Sequence, residues 1–173
     1  MTDERIYFVM EFISGATLTK AIESEQFQAL RDEKQIRFII AQLVLGVSKL
    51  HQNYIMLRNI KKSNLMLDCQ GYLKIIDFNY AKSLSRENLF ARTPIGPPEN
   101  QPPEMIKRQS YTFTADWWAV GLIAYEMMFN FRPFKATAQL KIDKAIVNQE
   151  LQIPNQRRKN HSDAFRSFIT GLL

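Results

Sequence analysis

The clearest periodic pattern in the chain lies at residues 32–52, where apolar side chains recur three or four positions apart. Polar side chains fill the positions between them, so the segment is predicted to be a long amphipathic helix with one buried stripe. Its most apolar part, residues 36–50, is interrupted by polar side chains and is too short to span a bilayer. The predicted stripe consists of Ile36, Ile40, Leu43, Val44, Val47 and Leu50.

Three short segments are predicted to be β-strands. Residues 6–12 form an apolar, β-prone run that ends at the turn signal Ser14-Gly15. Residues 65–67 and 72–76 form two further runs of this kind. The turn-forming residues 68–71 lie between them, which predicts a hairpin.

Two further helices have recognisable start signals. Thr17 can cap a short helix that runs to residue 23. Residues 114–128 are strongly apolar and predict a buried helix, with Thr112 or Thr114 as its cap.

A long loop and two more helices complete the predicted fold. Residues 83–104 show little periodicity and contain five of the seven prolines, so they predict a loop, and a loop this long is usually functional. Residues 136–149 predict a more polar helix, and Ser162 is the predicted cap of a last helix that continues to the C-terminus. A hairpin among helices, followed by a long loop, gives a mostly helical α+β domain.

The composition is that of one soluble globular domain, or of a large piece of one. The 173 residues are 46% hydrophobic and 23% charged, which is ordinary for a folded protein. Cys69 is the single cysteine, which excludes an internal disulfide framework. Residues 1–5 do not form a signal peptide, so a cytoplasmic location is expected, with the nucleus as the alternative.

The net charge of +6 comes partly from short basic clusters. No aromatic platform alternates with them, so a solvated surface is favoured over binding to nucleic acid or to a membrane. The expected partner is a protein. These clusters are Lys61-Lys62, Lys107-Arg108 and Arg157-Arg158-Lys159.

The candidate chemistry lies in two short segments: Leu57-Arg58-Asn59-Ile60-Lys61-Lys62-Ser63-Asn64, and Asp77-Phe78-Asn79, which begins thirteen residues after Asn64. They resemble the catalytic loop H-R-D-L-x-x-x-N and the metal-binding turn D-F-G of protein kinases, with Asn59 in place of the catalytic Asp. In that family the Asp accepts or orients the proton of the substrate hydroxyl. An amide cannot take up that proton, so the same residues identify the fold and argue against the enzyme activity.

Further motifs extend the resemblance over nearly the whole chain, in the order of the large C-terminal lobe of a serine/threonine kinase of the cyclic-nucleotide-dependent (AGC) branch. It implies a protein-kinase-like α+β fold, with a hinge strand, a small β-hairpin and a mainly helical lobe. Residues 1–173 are then a partial kinase domain, whose Gly-rich loop, strand lysine and final helix are expected to lie outside it. The motifs are Thr114-Ala115-Asp116-Trp117-Trp118-Ala119-Val120-Gly121, Tyr125-Glu126-Met127, Phe131-Arg132-Pro133-Phe134, Gly96-Pro97-Pro98-Glu99 and Pro102-Pro103-Glu104.

The resemblance implies a catalytic and metal site with ATP and Mg²⁺ as cofactors. Asn59 occupies the position of the catalytic Asp, and Lys61 that of the lysine which contacts the transferred phosphate. Asn64 and Asp77 match the two magnesium-holding positions, and their oxygens are of the kind Mg²⁺ prefers. The alternative for Lys61 is an exposed structural lysine. For Asn64 and Asp77 the alternative is a purely structural link between loop and hairpin.

The resemblance also implies a regulatory pair. Arg58 matches the loop arginine that pairs with a phosphorylated residue, and Thr93 matches that residue, so a phosphate-dependent switch is expected. Pro97 stands where the family has a Thr that hydrogen-bonds to the catalytic Asp. Asn79 replaces the Gly of D-F-G and is expected at positive φ, while Phe78 is expected in the core.

The remaining assignments concern the nucleotide side of the lobe and its structural support. Met10 resembles the gatekeeper, Glu11 and Ile13 the hinge residues whose backbone bonds adenine, and Met66 the floor beneath it. All four positions are also explained as ordinary strand and hairpin residues.

Two acidic side chains and one histidine are expected to be structural. Asp116 is expected to bond the backbone of the catalytic loop, and His51 to be packed and hydrogen-bonded. Glu104 is expected to lack its usual arginine partner. Thr17 and Ser63 occupy positions that are often acidic in relatives that prefer basic substrates, which weakens recognition of an Arg-rich protein substrate.

These features favour a degenerate kinase domain, a pseudokinase that serves as a binding or regulatory module. One alternative is a weak ATP-dependent serine/threonine kinase that needs an N-lobe from a longer product. Another is a truncated gene product without function, with apolar surface uncovered around residues 43–50 and 165–168.

Overall fold

The computed structural model describes residues 7, 9–25, 27, 32–135, 138–154 and 162–173. The described helices and strands form an α+β arrangement, as predicted. Every described helix is too short or too polar to cross a lipid bilayer. The helices are α1 Leu18–Glu23, α2 Glu33–Gln52, α3 Pro103–Ile106, α4 Thr114–Phe129, α5 Gln139–Asn148 and α6 Asp163–Leu172. The strands are β1 Gly15–Thr17, β2 Ile55–Met56, β3 Leu65–Asp68, β4 Leu73–Ile75 and β5 Lys82–Ser83.

Helix α2 forms because its sequence supplies both a cap and a buried stripe. The Asp32 side chain accepts a hydrogen bond from the Gln35 N–H at 2.8 Å, which satisfies a free donor of the first turn. The predicted stripe is buried, except that Val44 and Leu50 are half-buried at its edge. Burying this stripe against α4 builds the main core.

Helix α4 is buried on nearly all sides and lies between α2 and α6. A Cβ atom on Gly121 would approach the Leu172 Cβ to 2.9 Å, so the two helices pack closely there. The prediction of its cap was wrong: Phe113 occupies the cap position, and the Thr112 hydroxyl only accepts a long 3.4 Å bond from the Thr114 N–H.

The remaining helix starts follow the prediction. Thr17 caps α1 by accepting from the Lys20 N–H, and Ser162 caps α6 by accepting from the Phe165 N–H. The predicted helix over residues 136–149 is observed as α5, with residues 136–137 outside the described part. The predicted loop over residues 83–104 is confirmed for most of its length. The exceptions are the end of β5, a 3₁₀ turn at Pro98–Asn100 and the start of α3.

The predicted hairpin is confirmed as β3 and β4, which pair antiparallel with Met66 opposite Lys74. The Asp68 carboxylate closes its turn by accepting hydrogen bonds from the N–H groups of Gln70 and Tyr72. Gly71 has φ +86° in this turn, a conformation that glycine adopts at little cost. β1 pairs with the other edge of β3, giving a three-stranded sheet.

The predicted strand over residues 6–12 was wrong for the residues that the structure describes, Tyr7 and 9–12. No strand among the described residues hydrogen-bonds to them, and a strand needs such a partner. Their apolar side chains, including the 78% exposed Met10, point away from the core. Ile6 and Phe8 lie outside the described residues.

Gly15 also differs from its predicted role as a turn residue, because it opens β1. A Cβ atom there would lie 2.0 Å from the Leu67 carbonyl oxygen, which is a backbone clash. We expect Gly15→Ala to lower the free energy of unfolding by about 1–3 kcal/mol, because β1 must move away from β3. Urea denaturation measures this change.

The matched control is Gly171→Ala on α6, where nothing lies within 4 Å of an added Cβ. That substitution is expected to be neutral or to stabilise by up to about 1 kcal/mol, because alanine favours helix. Equal effects of the two substitutions would contradict the close approach at Gly15.

Candidate catalytic loop and metal-binding turn

Asp116, in the first turn of α4, fixes the loop that follows β2. Its side chain is 1% exposed and accepts hydrogen bonds from the backbone N–H groups of Leu57, at 2.9 Å, and Arg58, at 2.7 Å. The His51 Nε2 lies 2.8 Å from the same carboxylate, and the His51 ring packs against Phe113. These are the contacts expected of Asp116 and His51 from the sequence. They hold the loop to the main core.

Arg58 adopts φ +66°, an uncommon conformation for a non-glycine residue, and the hydrogen bond of its N–H to Asp116 holds it there. Its guanidinium Nε donates to the Tyr80 carbonyl at 2.7 Å, which links the loop to the segment after Asp77. Thr93 lines a cleft on the segment after β5, and Arg58 is not among the residues that line this cleft. None of the hydrogen bonds between described residues joins Thr93 to Arg58, and their phosphate-dependent pairing stays a prediction.

Asn59 is buried in the loop, with 9% of its surface exposed. Its carbonyl accepts a hydrogen bond from the Asn64 side chain at 3.1 Å, while its own amide group bonds to no described residue. Gly96 lies against it, since a Cβ atom there would be 3.5 Å from the Asn59 Oδ1. Pro97 follows and supplies no hydroxyl group. The position that resembles that of the catalytic base therefore holds a neutral amide, and no threonine lies at position 97.

Asn64 and Asp77 converge although they come from different elements. Asn64 ends the short 3₁₀ turn Lys62–Asn64, and Asp77 follows β4. The Asn64 Nδ2 donates to the Asp77 Oδ2 at 2.9 Å. This bond supports the structural alternative, because the Asn64 amide presents its N–H₂ group to the carboxylate. Turning the amide over would bring its oxygen toward the carboxylate oxygens. Such oxygens fit Mg²⁺ as two of its ligands, with phosphate and water oxygens needed for the rest.

The turn after Asp77 differs from its prediction. Asn79 does not have positive φ; instead its N–H donates to the Asp77 Oδ1 at 2.9 Å, so the carboxylate supports an ordinary turn. Phe78 is 48% exposed and not a core residue. Leu65 of the hairpin belongs to the main core, whereas Phe78 does not.

Lys61 is half-buried in the loop and forms no ion pair with a described residue. The neighbouring Lys62 does: its Nζ lies 2.5 Å from the Glu126 Oε2. Arg132 approaches the other oxygen, with Nε 2.8 Å from the Glu126 Oε1, and a second guanidinium nitrogen contacts Asn100. Glu126 is therefore neutralised from two sides within the chain.

The sequence patterns did not predict this ion cluster. The sequence feature that could have predicted the Arg132–Glu126 pair is Asn130, which ends α4 with φ +64°. A left-handed residue at this position ends a helix and turns the chain back. Arg132 is thereby returned to Glu126, six residues earlier.

The nucleotide-side residues lie at the exposed edge of the lobe. Met10 and Glu11 are exposed, and the Glu11 carboxylate is 3.7 Å from the Lys74 Nζ. Ile13 is half-buried. Met66 is half-buried in β3, between Thr17 and Lys74 of its neighbouring strands. The assignment of these four residues to adenine binding stays a prediction.

Glu104 and Tyr125 show how the lobe satisfies its other polar groups. The Glu104 carboxylate accepts a 3.3 Å hydrogen bond from the Thr114 hydroxyl, so it has a partner in the absence of the expected arginine. The Tyr125 hydroxyl donates to the Gln152 carbonyl, and burial raises the pKa of Tyr125 above its usual value.

A helical lobe with a hairpin, in which a buried aspartate fixes a loop beside converging asparagine and aspartate side chains, has the architecture of a protein kinase large lobe. The protein kinase domain family matches residues 1–173, and the chain belongs to this family.

The relatives place the chain among serine/threonine kinases of the AGC branch. It is 36% identical to Protein kinase C-like 1 of Caenorhabditis elegans, over 88% of this chain and 21% of the relative. It is 32% identical to mouse Protein kinase C eta type, over 98% of this chain and 24% of that protein. The chain is also 32% identical to zebrafish Serine/threonine-protein kinase Sgk1, over 99% of this chain and 38% of that protein. The chain thus spans well under half the length of these relatives.

Proposed function

We propose that this chain is a degenerate serine/threonine kinase domain, a pseudokinase that acts as a binding or regulatory module for a protein partner in the cytoplasm. The observation that carries the proposal is the buried Asn59 amide at the position of the catalytic base. A general base contributes about 10²–10⁴ in rate, and an amide supplies none of it.

A second observation supports the loss of phosphoryl transfer to basic proteins. Glu126 is the retained acidic residue at a position that resembles a substrate-binding one, and Lys62 and Arg132 already neutralise it. A basic substrate side chain would have to displace these cations. Ser63 and Thr17 add no negative charge beside it. Binding of a partner whose recognition does not depend on basic side chains fits this surface better.

A second candidate function is weak ATP-dependent protein phosphorylation, and the geometry of Asn64 and Asp77 favours it. The two side chains already touch, and Mg²⁺ would bind once the Asn64 amide turned its oxygen toward Asp77 and gave up the bonds of its Nδ2 to Asp77 and Asn59. ATP would supply the phosphoryl group, and Mg²⁺ would neutralise its developing charge. Lys61 would then contact the phosphate. Positioning and charge stabilisation would have to provide the rate without a base.

Radiometric transfer from Mg-ATP to a basic peptide and to the chain itself tests the main proposal. We expect the wild type and Asn59→Ala to give the same signal as a reaction without protein. Transfer by the wild type that Asn59→Ala abolishes would overturn the pseudokinase proposal.

Nucleotide binding separates the two candidates without an activity readout. Saturable binding of Mg-ATP that Asp77→Asn weakens would favour the second candidate, because Asp77 supplies the only carboxylate of the pair. Asp68→Asn, in the hairpin turn, is the matched control and leaves Asn64 and Asp77 intact.

A further inference from the structure

A polar cleft of about 500 Å³ separates the segment after β5 from the turn after α3. Two cations and two hydroxyl groups line it, and no carboxylate does so among the described residues. Lys82 and Arg92 form no ion pair with a described residue, so their positive charges are not neutralised there. The lining residues are Lys82, Asn88, Phe90, Arg92, Thr93 and Ser110.

The two walls of this cleft are held in register by backbone hydrogen bonds. Ala91 and Tyr111 exchange two N–H···O bonds of 2.9 Å in an antiparallel bridge. Arg92 follows Ala91 and Ser110 precedes Tyr111, so these two residues come opposite one another across the bridge. The buried Tyr111 also donates its hydroxyl to the Thr93 carbonyl at 2.6 Å, which fixes Thr93 beside them.

Lys82 closes the third side of the cleft. It lies in β5, opposite Met56, and its Nζ donates to the Phe90 carbonyl at 3.3 Å. This weak bond uses one of its three donors and leaves two for an anion. An anion carried by Ser110 would therefore meet a cation on each side.

We propose that Ser110 is a phosphorylation site whose phosphate binds Lys82 and Arg92 in this cleft. Residues 107–110 are exposed, and the Ser110 hydroxyl bonds to no described residue, so it is accessible to an enzyme. Lys107 and Arg108 precede it and give the turn a positive charge. These cations suit a separate protein kinase whose peptide-binding groove is acidic.

The modification is an ordinary phosphoryl transfer. The Ser110 oxygen forms a bond to the γ-phosphorus of ATP bound to the separate kinase, the bond from that phosphorus to the bridging oxygen breaks, and ADP leaves. The hydroxyl proton passes to the base of that kinase. This site goes beyond the proposed binding function and does not depend on nucleotide binding by this chain.

Charge balance limits the cleft to one phosphate. A phosphoserine carries about −1.5 to −2 charges near neutral pH, which the two cations Lys82 and Arg92 offset. A second phosphate on Thr93 would have no further cation in the cleft. We therefore expect phosphorylation of Ser110 to tie the segment after β5 to the turn after α3, and to exclude simultaneous phosphorylation of Thr93.

The first test is phosphorylation of the purified protein by a kinase selective for basic sequences, read by phosphopeptide mass spectrometry. We expect one phosphate, on Ser110, and its loss in Ser110→Ala. The double variant Lys107→Gln/Arg108→Gln should lower the initial rate about tenfold or more, as expected when two charged contacts with the kinase are lost. Phosphate on Thr93 or elsewhere, with Ser110 unmodified, overturns the proposal.

The second test places phosphoserine at position 110 by genetic encoding and measures amide hydrogen exchange of residues 84–93. We expect exchange about tenfold slower than in the unmodified protein, because a charge-assisted bond must break before the segment opens. Lys82→Gln/Arg92→Gln should abolish this protection. Arg86→Gln should retain it, because Arg86 bonds to the Tyr54 hydroxyl outside the cleft. Unchanged exchange in the folded phosphoprotein refutes the phosphate-binding role.

Discussion

Replacing Asp116 with alanine is expected to lower the free energy of unfolding by about 3–5 kcal/mol, because it leaves several buried hydrogen-bond donors without an acceptor. The N–H groups of Leu57 and Arg58 both donate to this carboxylate, and His51 lies against it. Arg58 would lose the bond that holds its positive φ. Chemical denaturation, followed by far-UV circular dichroism, measures the change.

Asp143→Ala is the matched control, since among the described residues that carboxylate accepts a hydrogen bond only from the Gln139 side chain, one turn earlier on the same helix. Its expected cost is about 0.5 kcal/mol or less. The loss of stability in Asp116→Asn should fall between those of the two alanine variants. An amide retains one acceptor oxygen but turns an N–H₂ group toward a donor. Equal stability of the Asp116→Ala and Asp143→Ala variants would contradict the anchoring role of Asp116.

Asn59→Asp is expected to have the largest effect on chemistry. If the missing base is the main obstacle, restoring a carboxylate raises phosphoryl transfer from Mg-ATP by about 10²–10⁴ above the wild type. The new carboxylate would lie beside Gly96 in a buried loop, so its folding must be checked by thermal melting. Steady-state transfer to a peptide, with the protein in its native length, provides the measurement.

Two further variants make the gain interpretable. Asn148→Asp adds the same charge at the end of α5 and should leave transfer at the wild-type level. The double variant Asn59→Asp/Asp77→Ala should lose the gain, because it removes the carboxylate that we propose as a magnesium ligand. A folded Asn59→Asp variant without any gain in transfer would show that the site lacks more than the base. One such missing group is the threonine hydroxyl at the position of Pro97.

The candidate site was predictable from the sequence only as a set of residues at fixed spacing. The loop and the Asp77 turn were found because short motifs keep their residues close in the chain. The relation of Asn64 to Asp77 needs the hairpin between them, and the pairing of Glu126 with Lys62 needs α4 to pack beside the loop. Such pairings depend on contacts between distant segments, which periodicity does not report.

Local chemistry let the sequence by itself determine the hairpin and the helices other than α3. The stripe of α2, the caps at Thr17 and Ser162 and the turn at residues 68–71 all depend on neighbours within a few residues. The family membership followed from motifs of the same short range.

Only the tertiary structure decided what surrounds those elements. Residues 9–12 do not form a strand, because a strand requires a partner that local sequence does not provide. Phe78 is exposed although its sequence suggested a core residue, and Arg92 lies opposite Ser110 because the bridge at Ala91 and Tyr111 sets the register. In each case the deciding free energy comes from burial and hydrogen bonds between segments far apart in the chain.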